Sequence, residues 1–90
     1  MINMQYQNLS VKFDNQTKIL KYDPLLIYVR VKTLDGTNTT INCLNVQHAL
    51  TLLYQLKPDA RLALYGHYNQ RHQFVITRFM VGQPVQQQVS

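Results

Sequence analysis

The sequence predicts a small, mostly β domain with one helix, in the order strand, strand, strand, helix, strand, strand. Two observations support this: apolar residues alternate with polar ones over most of the chain, and one stretch alone has helical spacing. With 90 residues and 46% hydrophobic side chains, the chain suits a single small core. We expect one domain over residues 1–82 and a short, flexible, glutamine-rich tail over residues 83–90.

The first strand is predicted where apolar residues alternate from Leu9 to Phe13. The polar run Asp14-Asn15-Gln16 interrupts this alternation, so an extra strand is expected from Lys18 to Tyr22, before an Asp23-Pro24 turn. The region is therefore longer and more broken than a simple first strand.

The clearest strand runs from Leu25 to Leu34, with strict alternation from Ile27 to Lys32. Asp35-Gly36 follows and predicts a tight hairpin turn, because glycine accepts the positive φ that such turns need. The partner strand is expected from Thr37 to Leu44.

One helix of about three turns is predicted after this hairpin. Asn45 is the expected N-cap, and Pro58 stops the helix. The expected apolar stripe consists of Val46, Ala49, Leu50, Leu53 and Leu56.

Two strands complete the domain, from Arg61 to Asn69 and from Gln73 to Val81, with a polar connection between them. The alternation slips near Arg78-Phe79, which predicts a bulge. The expected core from all elements comprises Val29, Val31, Ile41, Leu50, Leu53, Leu62 and Leu64.

This element order resembles the OB-fold of anticodon-binding and single-strand-binding domains, a five-stranded Greek-key barrel. The matching segments are Leu34-Asp35-Gly36, the glycine-bearing strand Arg61 to Gly66, and Gln73-Phe74-Val75-Ile76. The alternative is a ubiquitin-like β-grasp, which the hairpin from Ile27 to Ile41 also resembles. Its usual long connection has no counterpart between Gly66 and Gln73.

The charge balance favours a polyanionic partner. Nine Lys and Arg stand against four Asp and no Glu, for a net charge of +5 and a pI near 9.6. Such a surface attracts nucleic acid, although the same excess would serve solubility alone.

The OB-fold resemblance implies binding through the outer face of the second and third strands and through flanking loops. It predicts a module for single-stranded DNA or RNA with low sequence specificity, in which bases stack on Tyr and phosphates contact Arg and Lys. The alternative function is a protein-interaction or assembly module. The candidate nucleic-acid-binding residues are Tyr28, Arg30, Lys32, Asn42, Tyr65, His67, Tyr68, Arg71, Lys18 and Lys21.

Catalytic and metal chemistry find little support in the sequence. There is no glycine-rich phosphate loop, no G-x-S-x-G turn and no acid pair at useful spacing, so we expect no enzyme. Cys43, His48, His67 and His72 have zinc-ligand side chains without a recognised spacing, so neither metal nor cofactor is expected. We predict instead that Cys43 lies in the core and is unreactive.

A cytoplasmic location without membrane attachment is expected. The start of the chain lacks the pattern of a signal peptide, one cysteine excludes an internal disulfide, and no apolar run approaches the ~20 residues of a membrane span.

Overall fold

The computed structural model describes residues 5–82, so the predicted tail at 83–90 lies outside the described residues. The element order is the predicted one. The elements are β1 (Gln7–Tyr22), β2 (Leu25–Thr33), β3 (Thr40–Asn45), α1 (Ala49–Gln55), β4 (Arg61–Tyr68) and β5 (Phe74–Val81).

The five strands close into a barrel in the order β1-β2-β3-β5-β4. The long β1 makes closure possible, because it pairs antiparallel with β2 and, over its first half, with β4. On the far side, β3 pairs with β5 in parallel from Cys43 to Asn45. A closed ring of this kind differs from the open sheet expected of a β-grasp.

The barrel interior confirms the strand registers predicted from alternation. Val29 and Val31 are fully buried, so Tyr28, Arg30 and Lys32 lie on the outer side of β2. The strand residues of the core are Val11, Phe13, Ile27, Val29, Val31, Ile41, Cys43, Leu62, Leu64, Phe74 and Ile76.

The helix is shorter than predicted, and its apolar stripe is rotated. Asn45 is not the N-cap; it is the fully buried last residue of β3, and its side-chain amide donates to the carbonyl of Ile76 at 3.5 Å. The helix begins only after His48, which has a left-handed φ of 60°. Because the helix begins at Ala49, the helical residues that face the core are Ala49 and Leu52. Leu50 is 68% exposed rather than buried.

Leu53 and Leu56 complete the stripe as half-buried residues packed against the core. The positions 49, 52, 53 and 56 keep the spacing of one helix face.

Two local predictions need correction. The polar run after Phe13 does not end a strand, because β1 continues through a bulge at Asp14 and Asn15. The turn after β2 is longer than the tight hairpin turn predicted at Asp35-Gly36, because β3 begins at Thr40 and not at Thr37.

The bulge predicted near Arg78-Phe79 is present in β5 and lies at Thr77. Gly66 of β4 lies beside this bulge, and a Cβ at this position would clash with the carbonyl of Val75. The close approach of β4 and β5 therefore requires glycine at this position.

Candidate functional site

Five of the ten candidate residues share one outer surface of β1, β2 and β3. Directly opposed residues of antiparallel strands lie on the same face, and Lys18 is opposite Tyr28 while Arg30 is opposite Asn42. We call the surface formed by Lys18, Tyr28, Arg30, Lys32 and Asn42 the front face.

The Tyr28 ring is fixed at the centre of the front face. Its hydroxyl donates to Asn42 Oδ1 at 2.7 Å, and its carbonyl accepts a hydrogen bond from the Thr17 hydroxyl at 2.8 Å. The side chain is half-buried on the outer surface. The hydroxyl contact with Asn42 therefore orients the ring on this surface.

Arg30 is partly neutralised within the front face. Its Nε donates to Asp14 Oδ2 at 3.0 Å, with the two side chains 33% and 24% exposed. The β1 bulge at Asp14 and Asn15 carries this aspartate beside β2. It is the only ion pair within residues 5–82, so Lys18 and Lys32 have no acidic partner there.

Lys21 lies further along the same side of the β1–β2 hairpin. A second irregularity in β1, around Leu20, places Lys21 opposite Leu26. Leu26 lies two residues before Tyr28 in β2, so Lys21 is on the same side of the sheet as Tyr28. Lys18 and Lys21 both belong to β1, which takes in the separate strand predicted from Lys18 to Tyr22.

Arg71 borders the front face on its β3 side. Cys43 is opposite Phe74 in the parallel pair, so the β4–β5 loop preceding Phe74 lies beside the part of β3 that includes Asn42. The loop is held by Asn69, whose Oδ1 accepts from the backbone N–H groups of Arg71 and Gln73, each at 2.9 Å.

Tyr68 is the last residue of β4. Its ring contacts Phe74 edge to face at 5.2 Å. Desolvation raises the pKa of its hydroxyl, with a smaller contribution from Cys43, and the side chain is 40% exposed.

Tyr65 and His67 are not on the front face. They lie on the outer side of β4, which β1 separates from β2. There Tyr6 stacks on Tyr65 with centroids 5.4 Å apart and meets His67 edge to face at 5.1 Å, while the Arg78 guanidinium lies 5.2 Å from the Tyr65 centroid. We call Tyr6, Tyr65, His67 and Arg78 the β4 cluster.

Sequence reasoning missed Tyr6 and Arg78. The alternation of β5 did not predict that Arg78 faces outward beside Tyr65, because the Thr77 bulge shifts this alternation and places Arg78 opposite Tyr65. Tyr6 was detectable, since extending the alternation of Leu9 and Val11 backward puts it on the outer side.

Cys43 lies in the core, as predicted. It is fully buried, and desolvation raises the pKa of its thiol to about 12. In the described part of the chain, no three His, Cys, Asp or Glu side chains are grouped to hold a metal ion. Within that same part, no helix has the length and apolar character to cross a membrane.

No protein-family model, curated protein or solved structure matches the chain.

Proposed function

We propose that the barrel is an OB-fold and that it binds single-stranded nucleic acid with low sequence specificity. Three features support the fold assignment: β1 pairs with both β2 and β4, β3 runs parallel to β5, and α1 lies between β3 and β4. In OB-folds, oligonucleotides bind across the second and third strands, which here carry the front face.

The observation that carries the functional proposal is the composition of the front face. It holds one fixed aromatic ring, the amide of Asn42 and three cations, of which only Arg30 has an acidic partner in residues 5–82. Bases would stack on Tyr28, while Lys18 and Lys32 contact phosphates. Stacking and phosphate contacts are indifferent to base identity, hence the low specificity.

Two substitutions separate these contributions. Tyr28→Ala should weaken binding of fluorescein-labelled dT15 by about 1–3 kcal/mol without changing the salt dependence. Lys32→Gln should weaken binding and also flatten the slope of log K against log salt by about 0.7, because one phosphate contact is lost. Fluorescence anisotropy at several salt concentrations measures both.

Matched controls come from the helix region. Tyr54 is 90% exposed on α1, and Lys57 follows the helix, so neither is part of a strand. Tyr54→Ala and Lys57→Gln remove the same groups elsewhere. The proposal fails if the front-face variants weaken binding no more than these controls do.

A protein-interaction module is the second candidate. The observation favouring it is the outer side of α1, where Leu50 is 68% and Tyr54 90% exposed. This function would take first place if the wild type bound no single strand at low salt.

A further inference from the structure

The β4 cluster and the front face are connected by a row of cations across three neighbouring strands. Lys12 of β1 is directly opposite Lys32 of β2 on one side and Arg61 of β4 on the other. Their neighbours Val11, Val31 and Leu62 are buried, so all three cations are on the outer side. We call Lys32, Lys12 and Arg61 the cation row.

The cation row is unfavourable for folding by itself. Like charges placed directly opposite on neighbouring strands repel each other. No Asp lies within ion-pair distance of these three side chains in residues 5–82, where Asp14 is engaged with Arg30. A polyanion lying across the strands would relieve the repulsion, because each phosphate neutralises one cation.

Beyond the row, the surface between β1 and β4 is open. The next outward pair is Ser10 opposite Ala63, two small side chains, and the pair after it is Asn8 opposite Tyr65. A shallow pocket beside the Tyr65 ring is lined by Asn8, Ala63, Arg78 and Met80, among others. Nothing large therefore stands between the cation row and the β4 cluster.

The β4 cluster presents a second stacking platform. The Tyr65 ring is contacted by both Tyr6 and Arg78. The Tyr6 side chain is 46% exposed, so part of its surface is open to a ligand. Tyr65 thus positions the Tyr6 ring, and Tyr6 offers its free surface to a base.

We propose that a bound single strand continues from the front face across the cation row to Tyr6, around the outside of β1. This inference rests on the proposed function and extends it. The path runs about 13 Å along β2, about 10 Å across two strand spacings and about 13 Å or more along β4. Such a length is compatible with site sizes of about 4–16 nucleotides per OB-fold.

The test compares an oligonucleotide that is too short to reach both Tyr28 and Tyr6 with one that is long enough to reach both. Binding of dT5 and dT15 is measured by anisotropy for the wild type, Tyr6→Ala and Lys12→Gln. In the wild type, the second platform adds to the affinity for dT15 because both contacts form on one strand.

Tyr6→Ala should reduce the affinity advantage of dT15 over dT5 by about 5- to 150-fold, the equivalent of one stacked base. Lys12→Gln should also reduce this advantage and should flatten the dT15 salt slope by about 0.7. Tyr54→Ala and Lys57→Gln serve again as controls and should leave the advantage unchanged.

The two proposals fail in different ways. If the wild type binds dT15 and Tyr28→Ala weakens it, but Tyr6→Ala and Lys12→Gln leave the length advantage at the wild-type value, the extended path is wrong and the front face stands. If the wild type binds neither strand, both proposals are wrong.

Discussion

Arg30 Nε donates to Asp14 Oδ2 at 3.0 Å, so the central cation of the front face is held by an acid from the neighbouring strand. The pair orients the guanidinium and also reduces its attraction for a phosphate. Because the two side chains are 33% and 24% exposed, the pair contributes little to folding, about 0–1 kcal/mol.

Asp14→Asn should therefore tighten binding of single strands and steepen the salt slope by up to about 0.7, since Arg30 becomes free for a phosphate. Anisotropy with dT15 measures both quantities. Asp23→Asn, in the β1–β2 turn, changes the net charge equally and should have a smaller effect. Equal effects of the two variants would show that general charge, and not release of Arg30, determines affinity.

The corrected helix face gives a stability prediction. Leu52 is fully buried and Leu50 is 68% exposed. Leu52→Ala should lower the free energy of unfolding by about 2–5 kcal/mol, and Leu50→Ala should change it by less than about 0.5 kcal/mol. Denaturant unfolding of both variants checks this, and the reverse order would restore the stripe predicted from sequence.

The sequence predicted elements well where one local rule decided the structure. Alternation in β2 set its register, because a shift of one residue would bury Arg30 and expose Val31. The start of α1 was missed because Asn45 satisfies two rules, capping a helix or ending a strand. Tertiary packing against Ile76 decided between them.

The candidate site was only partly predictable for a similar reason. Residues on adjacent strands, such as Tyr28 and Asn42, followed from the hairpin. The separation of Tyr65 from the front face depended on β1 lying between β2 and β4, and the place of Arg78 depended on a bulge. The strand order is a property of the closed barrel, whereas the slip in alternation near Arg78-Phe79 predicted a bulge without showing on which side of β5 Arg78 would lie.

Acid should selectively weaken the loop between β2 and β3. Hydrogen bonds from the Thr37 hydroxyl and backbone N–H, with another from the Thr33 hydroxyl, lower the pKa of Asp35 below its ordinary value of 3.8. Because the folded-state pKa is the lower one, the carboxylate stabilises the fold above pH 3.8, and this contribution is lost as pH falls through the folded-state pKa.

The wild type should accordingly be more stable than Asp35→Asn at neutral pH, and the difference should disappear in strong acid. Denaturant unfolding of the pair across pH 2–7 measures it, with Thr37→Val as a second variant that removes a donor and keeps the acid. A difference that does not vary with pH would contradict the assigned role of the carboxylate.

Cys43 should resist thiol reagents in the native protein. The thiolate is the reactive form, and burial both blocks access and raises the pKa of the thiol to about 12. Labelling by a disulfide reagent at pH 8 should be slow without denaturant and fast in its presence. Rapid native labelling would place Cys43 on the surface and contradict the β3 register.

The central claim, that the front face binds single-stranded nucleic acid, is tested most directly by titrating dT15 with the wild-type protein from about 50 to 200 mM salt. Phosphate contacts by Lys18 and Lys32 predict measurable binding at the lowest salt and a slope of log K against log salt of roughly −1.4, or steeper if the cation row also takes part. No measurable affinity at about 50 mM salt, or binding that does not change with salt, would contradict the claim.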